Sequence, residues 1–313
     1  MTIDAELLNY YTQLAADFAP LQDPAPVERR QRFRDIAARY AVPRPSGVTV
    51  RDLVLPLEGR ELKARLYQPA HAETTLPLLV YFHGGGWVIG DLETHDHAAA
   101  LLAADLGAAV CSVDYRLAPE FPYPAASLDA IDSIMWLAEH RARLGFAQDT
   151  LAVAGDSAGA HLAAGAARVA NTRVPGIVKA QFLIYPVVSP EMATASYAAN
   201  ANAPGLSAAD MVFFWAQFLA GQAVAADDTC VNLLATAPAR QPADAVVIVA
   251  ANDPLHDEGC DYARFLEQHG ATVELFDAAD MTHGFVRLQT ESAAARAWMA
   301  KAAQAFKTCW AQA

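Results

Sequence analysis

The stretch Ala154-Gly155-Asp156-Ser157-Ala158-Gly159-Ala160 constrains this chain more than any other. It follows the apolar run Leu151 to Ala154 and opens the alanine-rich segment Ala158 to Val169, so the simplest reading is a strand, a sharp turn carrying Ser157, and a helix. In such a turn the residues two before and two after the serine crowd together, and Gly155 and Gly159 supply the small size this needs. The turn lifts the hydroxyl out of the sheet and aims at it the N-terminus of a helix, where free N–H groups and the dipole favour negative charge. A Gly-x-Ser-x-Gly string can also arise idly in a Gly- and Ala-rich chain. The surrounding residues have to decide.

From Val48 onward the pattern is that of strands. Val48 to Leu55 and Leu62 to Tyr67 alternate about a turn at Glu58-Gly59-Arg60, which predicts a hairpin at a sheet edge. Buried-type apolar runs follow at Leu78 to Phe82, Ala108 to Val113, Leu151 to Ala154, Phe182 to Val188 and Val246 to Ala250, and a further strand is read at Val273 to Phe276. Helical segments at Thr94 to Leu106, Ala125 to His140 and Ala158 to Val169 separate several of them. This alternation predicts an α/β fold with a mostly parallel sheet covered on both faces, and chemistry at the carboxyl ends of its strands.

Two stretches stand outside that rhythm. Residues 1–46 read as two helices, from Leu7, Leu8, Tyr11, Leu14 and Phe18 and then Phe33, Ile36 and Tyr40, parted by a proline-rich elbow that includes Pro20, Pro24 and Pro26. Residues 189–225 include Met211 to Leu219, with four aromatics in six positions, a helix expected to be covered on more than one side. Both are expected to cap the catalytic domain, which spans 47–313.

Formal net charge is −13, from 22 basic against 35 acidic side chains, which argues against nucleic acid or an anionic membrane as a partner. The acidic start and the lack of a long clean apolar run predict a cytoplasmic protein without leader or membrane insertion. Cys111, Cys230, Cys260 and Cys309 are scattered, so neither a metal site nor a disulfide framework is expected.

A serine hydroxyl needs a base, and the base needs an acid to hold its tautomer. His161 lies within the nucleophile helix, His269 beside Gly270 at a helix end, and His256 near a helix start, whereas His283 sits in a loop after a strand. Asp253 follows the strand Val246 to Ala250 directly, while Asp257 and Glu258 fall in the next helix's first turn, where acids are favoured by the dipole alone. The order Ser157, Asp253, His283 is that of α/β-hydrolases. His83-Gly84-Gly85-Gly86-Trp87 follows the strand Leu78 to Phe82, and its glycines suit backbone donors for an oxyanion better than a phosphate cradle, because no Gly-Lys-Ser or Gly-Lys-Thr accompanies them.

These motifs, with Asp114-Tyr115-Arg116-Leu117-Ala118-Pro119-Glu120, Asp253-Pro254-Leu255, Asp257-Glu258-Gly259 and His283-Gly284-Phe285, resemble in order and spacing the bacterial hormone-sensitive-lipase family of carboxylesterases, family IV, over about residues 48–310. The resemblance implies an α/β-hydrolase fold, Ser157 as nucleophile, His283 as base and Asp253 as its orienting acid. It implies oxyanion donors at Gly85, Gly86 and Ala158, with Gly84 shaping the loop and His83 fixing it from behind. Trp87, Asp156 and Phe214 are the side chains expected at the substrate pocket. The expected activity is hydrolysis of small short-acyl esters with no metal or organic cofactor, by a monomer or homodimer. An amidase or deacetylase acting on acylated metabolites, and a non-catalytic receptor, are the alternatives. The family's usual Gly-Asp-Ser-Ala-Gly-Gly-Asn is replaced here by Ala160 and His161, which bears on activity level and acyl preference.

Overall fold

The computed structural model describes residues 2–19, 21, 24–70, 75–148 and 150–313, so Pro20 of the elbow lies outside the described residues. Eight strands form one sheet: β1 (Val48–Leu57), β2 (Arg60–Pro69), β3 (Leu78–Phe82), β4 (Ala109–Val113), β5 (Leu151–Asp156), β6 (Ala180–Ile184), β7 (Asp244–Asn252) and β8 (Val273–Thr282). Their spatial order is β1-β2-β4-β3-β5-β6-β7-β8. The β1–β2 hairpin lies at the edge and joins β4 antiparallel, and every later pairing is parallel.

Strand residues divide alternately between two cores. Leu78, Val80 and Phe82 of β3 face the core shared with α4 (Ala125–His140), α5 (Ala158–Arg173) and α8 (His256–Gln268), whereas Leu79 and Tyr81 face that of α3 (Asp96–Leu106) and α9 (Ala293–Gln312). Both faces are therefore dry, which is why these strands read as continuous apolar runs. From β3 the chain winds outward to β4, then crosses back to lay β5 against β3's other edge. Loops leaving β3 and β5 in opposite directions open a crevice at their carboxyl ends, the usual ligand position in such sheets.

Three elements differ from the sequence expectation or had none; the first is β6, which ends at Ile184 where the apolar run reaches Val188. β8 continues to Thr282, beyond the predicted strand that ends at Phe276, because it is an edge strand whose Asp277 and Asp280 are not fully buried. The α9 helix, with Phe306 stacked on Phe182 at 5.1 Å, carries too much alanine for its apolar period to stand out in sequence.

The N-terminal segment forms α1 (Ala5–Asp17) and α2 (Pro26–Arg39). Asp4 caps α1 through the Leu7 N–H and also accepts from the Ser292 hydroxyl, while Leu7 and Tyr10 are buried. By contrast α2 has no buried residue and is held by ion pairs, Arg29 to Asp210, Arg30 to Glu120 and Arg34 to Asp91. Beyond β6 come the short α6 (Ala195–Ala199) and α7 (Ala208–Leu219). Met211, Phe214, Trp215 and Phe218 form the buried stripe of α7, and Arg29 of α2 stacks over Phe213 on another side at 4.1 Å.

One buried carboxylate ties the hairpin to the loop after β4. Asp129 of α4 is fully buried and pairs with Arg60 at 2.5 Å and Arg116 at 2.8 Å, and also accepts from the Arg116 backbone N–H. Removing one partner of a buried pair leaves charge uncompensated, so Asp129→Ala is expected to lower unfolding free energy by about 3 kcal/mol. Urea titration measures this; a loss no larger than that of an exposed ion pair would refute it.

Candidate active site

The turn at Ser157 is shaped by backbone contact. Ser157 has φ 57° and ψ −124°, and its N–H donates to Ile184 O at 2.9 Å. A Cβ at Gly159 would strike the Phe82 carbonyl, and one at Gly155 would strike Gly159 itself. Only glycine at both positions lets the start of α5 settle this close to β3 and β5, and the hydroxyl is thereby held at the crevice.

Register does the corresponding work on the other side. β7 and β8 pair with an irregularity between Ala250 and Asn252, after which Asn252 stands opposite Thr282. The next residue of each strand is Asp253 and His283, so acid and imidazole emerge side by side. His283 Nδ1 lies 2.7 Å from Asp253 Oδ2, and Nε2 lies 2.9 Å from Ser157 Oγ. Asp253 is fully buried, and its second oxygen accepts the Leu255 N–H at 2.9 Å. Tyr11 of α1 approaches from above, its hydroxyl 3.0 Å from Thr282 Oγ1 and donating to His283 O at 3.4 Å. Hydroxyl, imidazole and carboxylate in this line can move one proton off the serine while the acid holds the ring.

The glycine loop is held by Asp156. Its Oδ1 accepts from the Gly84 N–H at 2.9 Å and the Tyr81 hydroxyl at 2.5 Å, and His95 faces its Oδ2 at 3.5 Å. Burial opposes ionisation there, yet His95 and the Tyr81 hydroxyl hold the carboxyl well below the usual carboxylate range. His83 stands behind the loop, stacked on Tyr115 at 4.4 Å with Nδ1 2.8 Å from Gly84 O. Burial, then the neighbouring His95, push its pKa down to about 4, so it is neutral at pH 7. Gly85 and Gly86 have φ 121° and 58°, and among the described residues no protein group accepts from their N–H groups or from that of Ala158. A Cβ at Gly86 would fall on the Phe214 ring, which shows how closely α7 covers the loop.

Of these groups Ser157, His283, Gly85, Gly86, Asp156 and His95 line a cavity of about 200 Å³ with Tyr11, Phe33, Leu206, Phe214 and Arg287. Of the expected pocket residues, Phe214 is on this wall, while Asp156 reaches it with its carboxylate engaged by the loop. Trp87 is not on the wall. Its φ of 59° turns the indole inward, fully buried and stacked on Phe218 at 4.3 Å, so it is a packing residue beneath the loop. The other candidates lie apart. His256 contacts Asp257 at 2.9 Å, His269 faces Phe265 O at 2.7 Å, and Glu258 is buried against the Val188 N–H, its carboxyl raised well above the usual range by burial. Tyr11, His95 and Arg287 had no local sequence signal, since nothing in their own segments says which side faces Ser157.

Residues 79–287 match a family profile described as the alpha/beta hydrolase fold. The chain is 37% identical over 265 residues to the ethyl acetate hydrolase of Pseudomonas putida, covering 83% of each chain. It is 38% identical over 255 residues to the carboxylic ester hydrolase LipN of Mycobacterium tuberculosis, covering 79% of this chain and 67% of that one. Among solved structures, a thermostable esterase from Pseudomonas putida superposes with a TM-score of 0.92 at 30% identity, over 98% of this chain and 97% of that one.

His161, in the first turn of α5 after Ala160, is buried. Its Nε2 lies 3.1 Å from Val231 O and its ring meets Trp87 edge-on at 5.1 Å, away from Ser157 Oγ. Burial pushes its pKa down to about 4. The unfolded value is about 6.5, so the unfolded chain takes up this proton first, and the stability present above that pH is lost as pH falls toward 4. His161→Leu is therefore expected to lose roughly 2–3 kcal/mol less than wild type between pH 7 and pH 4.5 in urea titrations. Parallel losses in the two proteins would refute a neutral buried His161.

Proposed function

The chain belongs to the hormone-sensitive-lipase-like (family IV) group of α/β-hydrolase esterases and is a carboxylesterase, and on that basis we propose that it hydrolyses small short-acyl esters through a covalent acyl-enzyme. The observation that carries this is the unbroken line Asp253, His283, Ser157, with contacts of 2.7 and 2.9 Å, beside Gly85 and Gly86, which line the cavity and whose N–H groups have no protein acceptor among the described residues. Ser157 Oγ attacks the ester carbonyl while His283 Nε2 takes its proton, then returns it to the leaving alcohol. Gly85, Gly86 and Ala158 N–H groups take the developing oxyanion, a contribution of about 2.7–4 kcal/mol per donor at comparable sites. Water follows the same route to release the acid.

Asp253 keeps the imidazole tautomer, and Asp156 keeps the donors aimed. Helices α1 and α2 on one side and the segment 189–225 with α7 on the other form a two-piece cap. A cavity of about 200 Å³ suits a short acyl chain. Among the described residues no helix is long and apolar enough to cross a membrane. All four cysteines are free thiols, which supports a cytoplasmic setting, and we read the active species as a monomer or homodimer.

Ser157→Ala is expected to abolish turnover of p-nitrophenyl acetate and butyrate, and Asp253→Asn to lower kcat by about 10⁴ with folding intact. Retained turnover in the serine variant would overturn the assignment. Across an acyl series, activity is expected to decline steeply from butyrate to palmitate, and a palmitate optimum would contradict the small cavity.

A further inference from the structure

We infer that Arg287 forms a carboxylate subsite beside the catalytic serine, so that the preferred esters carry an acid group; this rests on the esterase reading above. Arg287 ends the 3-10 turn Phe285–Arg287, four residues beyond His283, and lines the cavity that holds Ser157. Its Nη2 lies 3.9 Å from the point a Cβ on Gly284 would occupy, which places the guanidinium next to the His283 backbone. Its Cζ sits 4.2 Å from the Phe33 ring centroid, and the side chain is half-buried.

Arg287 lines the cavity of Ser157 without a counter-ion among the described residues. Arg29, Arg30 and Arg34 of the overlying α2 each hold a carboxylate at 2.5–2.9 Å. Among the described residues no carboxylate lies within ion-pair distance of Arg287 and none of its guanidinium N–H groups has a hydrogen-bond acceptor, although its backbone N–H donates to Gly284 O at 3.1 Å, in a chain with 35 acidic side chains. The acid nearest in the cavity wall, Asp156, already serves Gly84, Tyr81 and His95. A cation drawn partly out of water without a partner is unfavourable, and a ring face offsets only a fraction of that. A planar fork of donors fits a carboxylate two bonds at a time, and an entering acid group would complete it.

Tyr10, Ile36, Arg287 and Leu288 also border a second cavity of about 440 Å³ between α2 and α3, so Arg287 stands at the partition between the two spaces. Either part of the ester can carry the acid: the acyl group, as in a half-ester of a dicarboxylic acid, or the alcohol, as in an ester of a hydroxy acid.

The test is kcat/KM for wild type, Arg287→Met and Arg287→Lys on p-nitrophenyl butyrate, mono-p-nitrophenyl glutarate and 3-butyryloxybenzoate, the last two placing the acid on the acyl and alcohol sides. Arg287→Met is expected to lower at least one acidic ester about 10- to 100-fold more than the neutral one, the scale of a charged hydrogen-bonded pair. Arg287→Lys should recover part of that difference, and should the Met variant not fold, the same ratio in the Lys variant decides. Equal losses on all three esters would make Arg287 a structural neighbour of Asp156 and overturn the subsite, as would no selective loss on either acidic ester. A wild type that hydrolyses none of the three overturns the esterase reading itself, whereas turnover of butyrate alone overturns only the subsite.

Discussion

The contact of the first turn of α5 with the end of β3 is what the rest of this site depends on. Gly159 lies against the Phe82 carbonyl and Gly155 against Gly159, leaving no room for a side chain at either position. That approach forces Ser157 to φ 57°, a conformation costing about 1–3 kcal/mol for a residue with a side chain, and the surrounding sheet has to outweigh it. The Ile184 carbonyl and the dry cores on both faces supply the restraint. Because the same contact fixes where β3 ends, it also fixes where the glycine loop begins.

Two buried carboxylates then divide the positioning between them. Asp253 is committed to His283 and the Leu255 N–H, and Asp156 to the glycine loop and its supporting tyrosine. Each has its oxygens engaged by groups that fix an orientation, so neither side chain has slack in which to drift. The imidazole rests on β7 and β8, while the loop donors rest on β3 and β5. The two halves meet at Ser157, and Tyr185 bridges them behind it, its ring 4.5 Å from that of His283 and its hydroxyl 3.5 Å from Asp156 Oδ2.

Fold class and the residues grouped around Ser157 were legible because each is tied to something sequence displays directly. Buried parallel strands are apolar throughout, tight turns need glycine, and the residue just past a strand end is fixed by counting. What was illegible depends on orientation in space. Trp87 looked like a pocket wall because it follows the glycines, but a positive φ sends it under Phe218. The polar end of β8 looked like a loop because an edge strand tolerates Asp277 and Asp280. Tyr11 and Arg287 belong to segments whose own spacing says nothing of the direction they face once α1 and the 3-10 turn are packed.

Helix α2 carries the last consequence. It roofs the cavity with Phe33 and Ile36 but has no buried residue of its own, and its arginines reach Asp210, Glu120 and Asp91 on other parts of the chain. Attraction between partly exposed charges fades with ionic strength, over a screening length of about 8 Å in physiological salt, whereas apolar burial does not weaken in this way. The floor of the site is therefore indifferent to the surrounding electrolyte and its roof is not, so how tightly the chamber is shut becomes a property of the medium as well as of the protein.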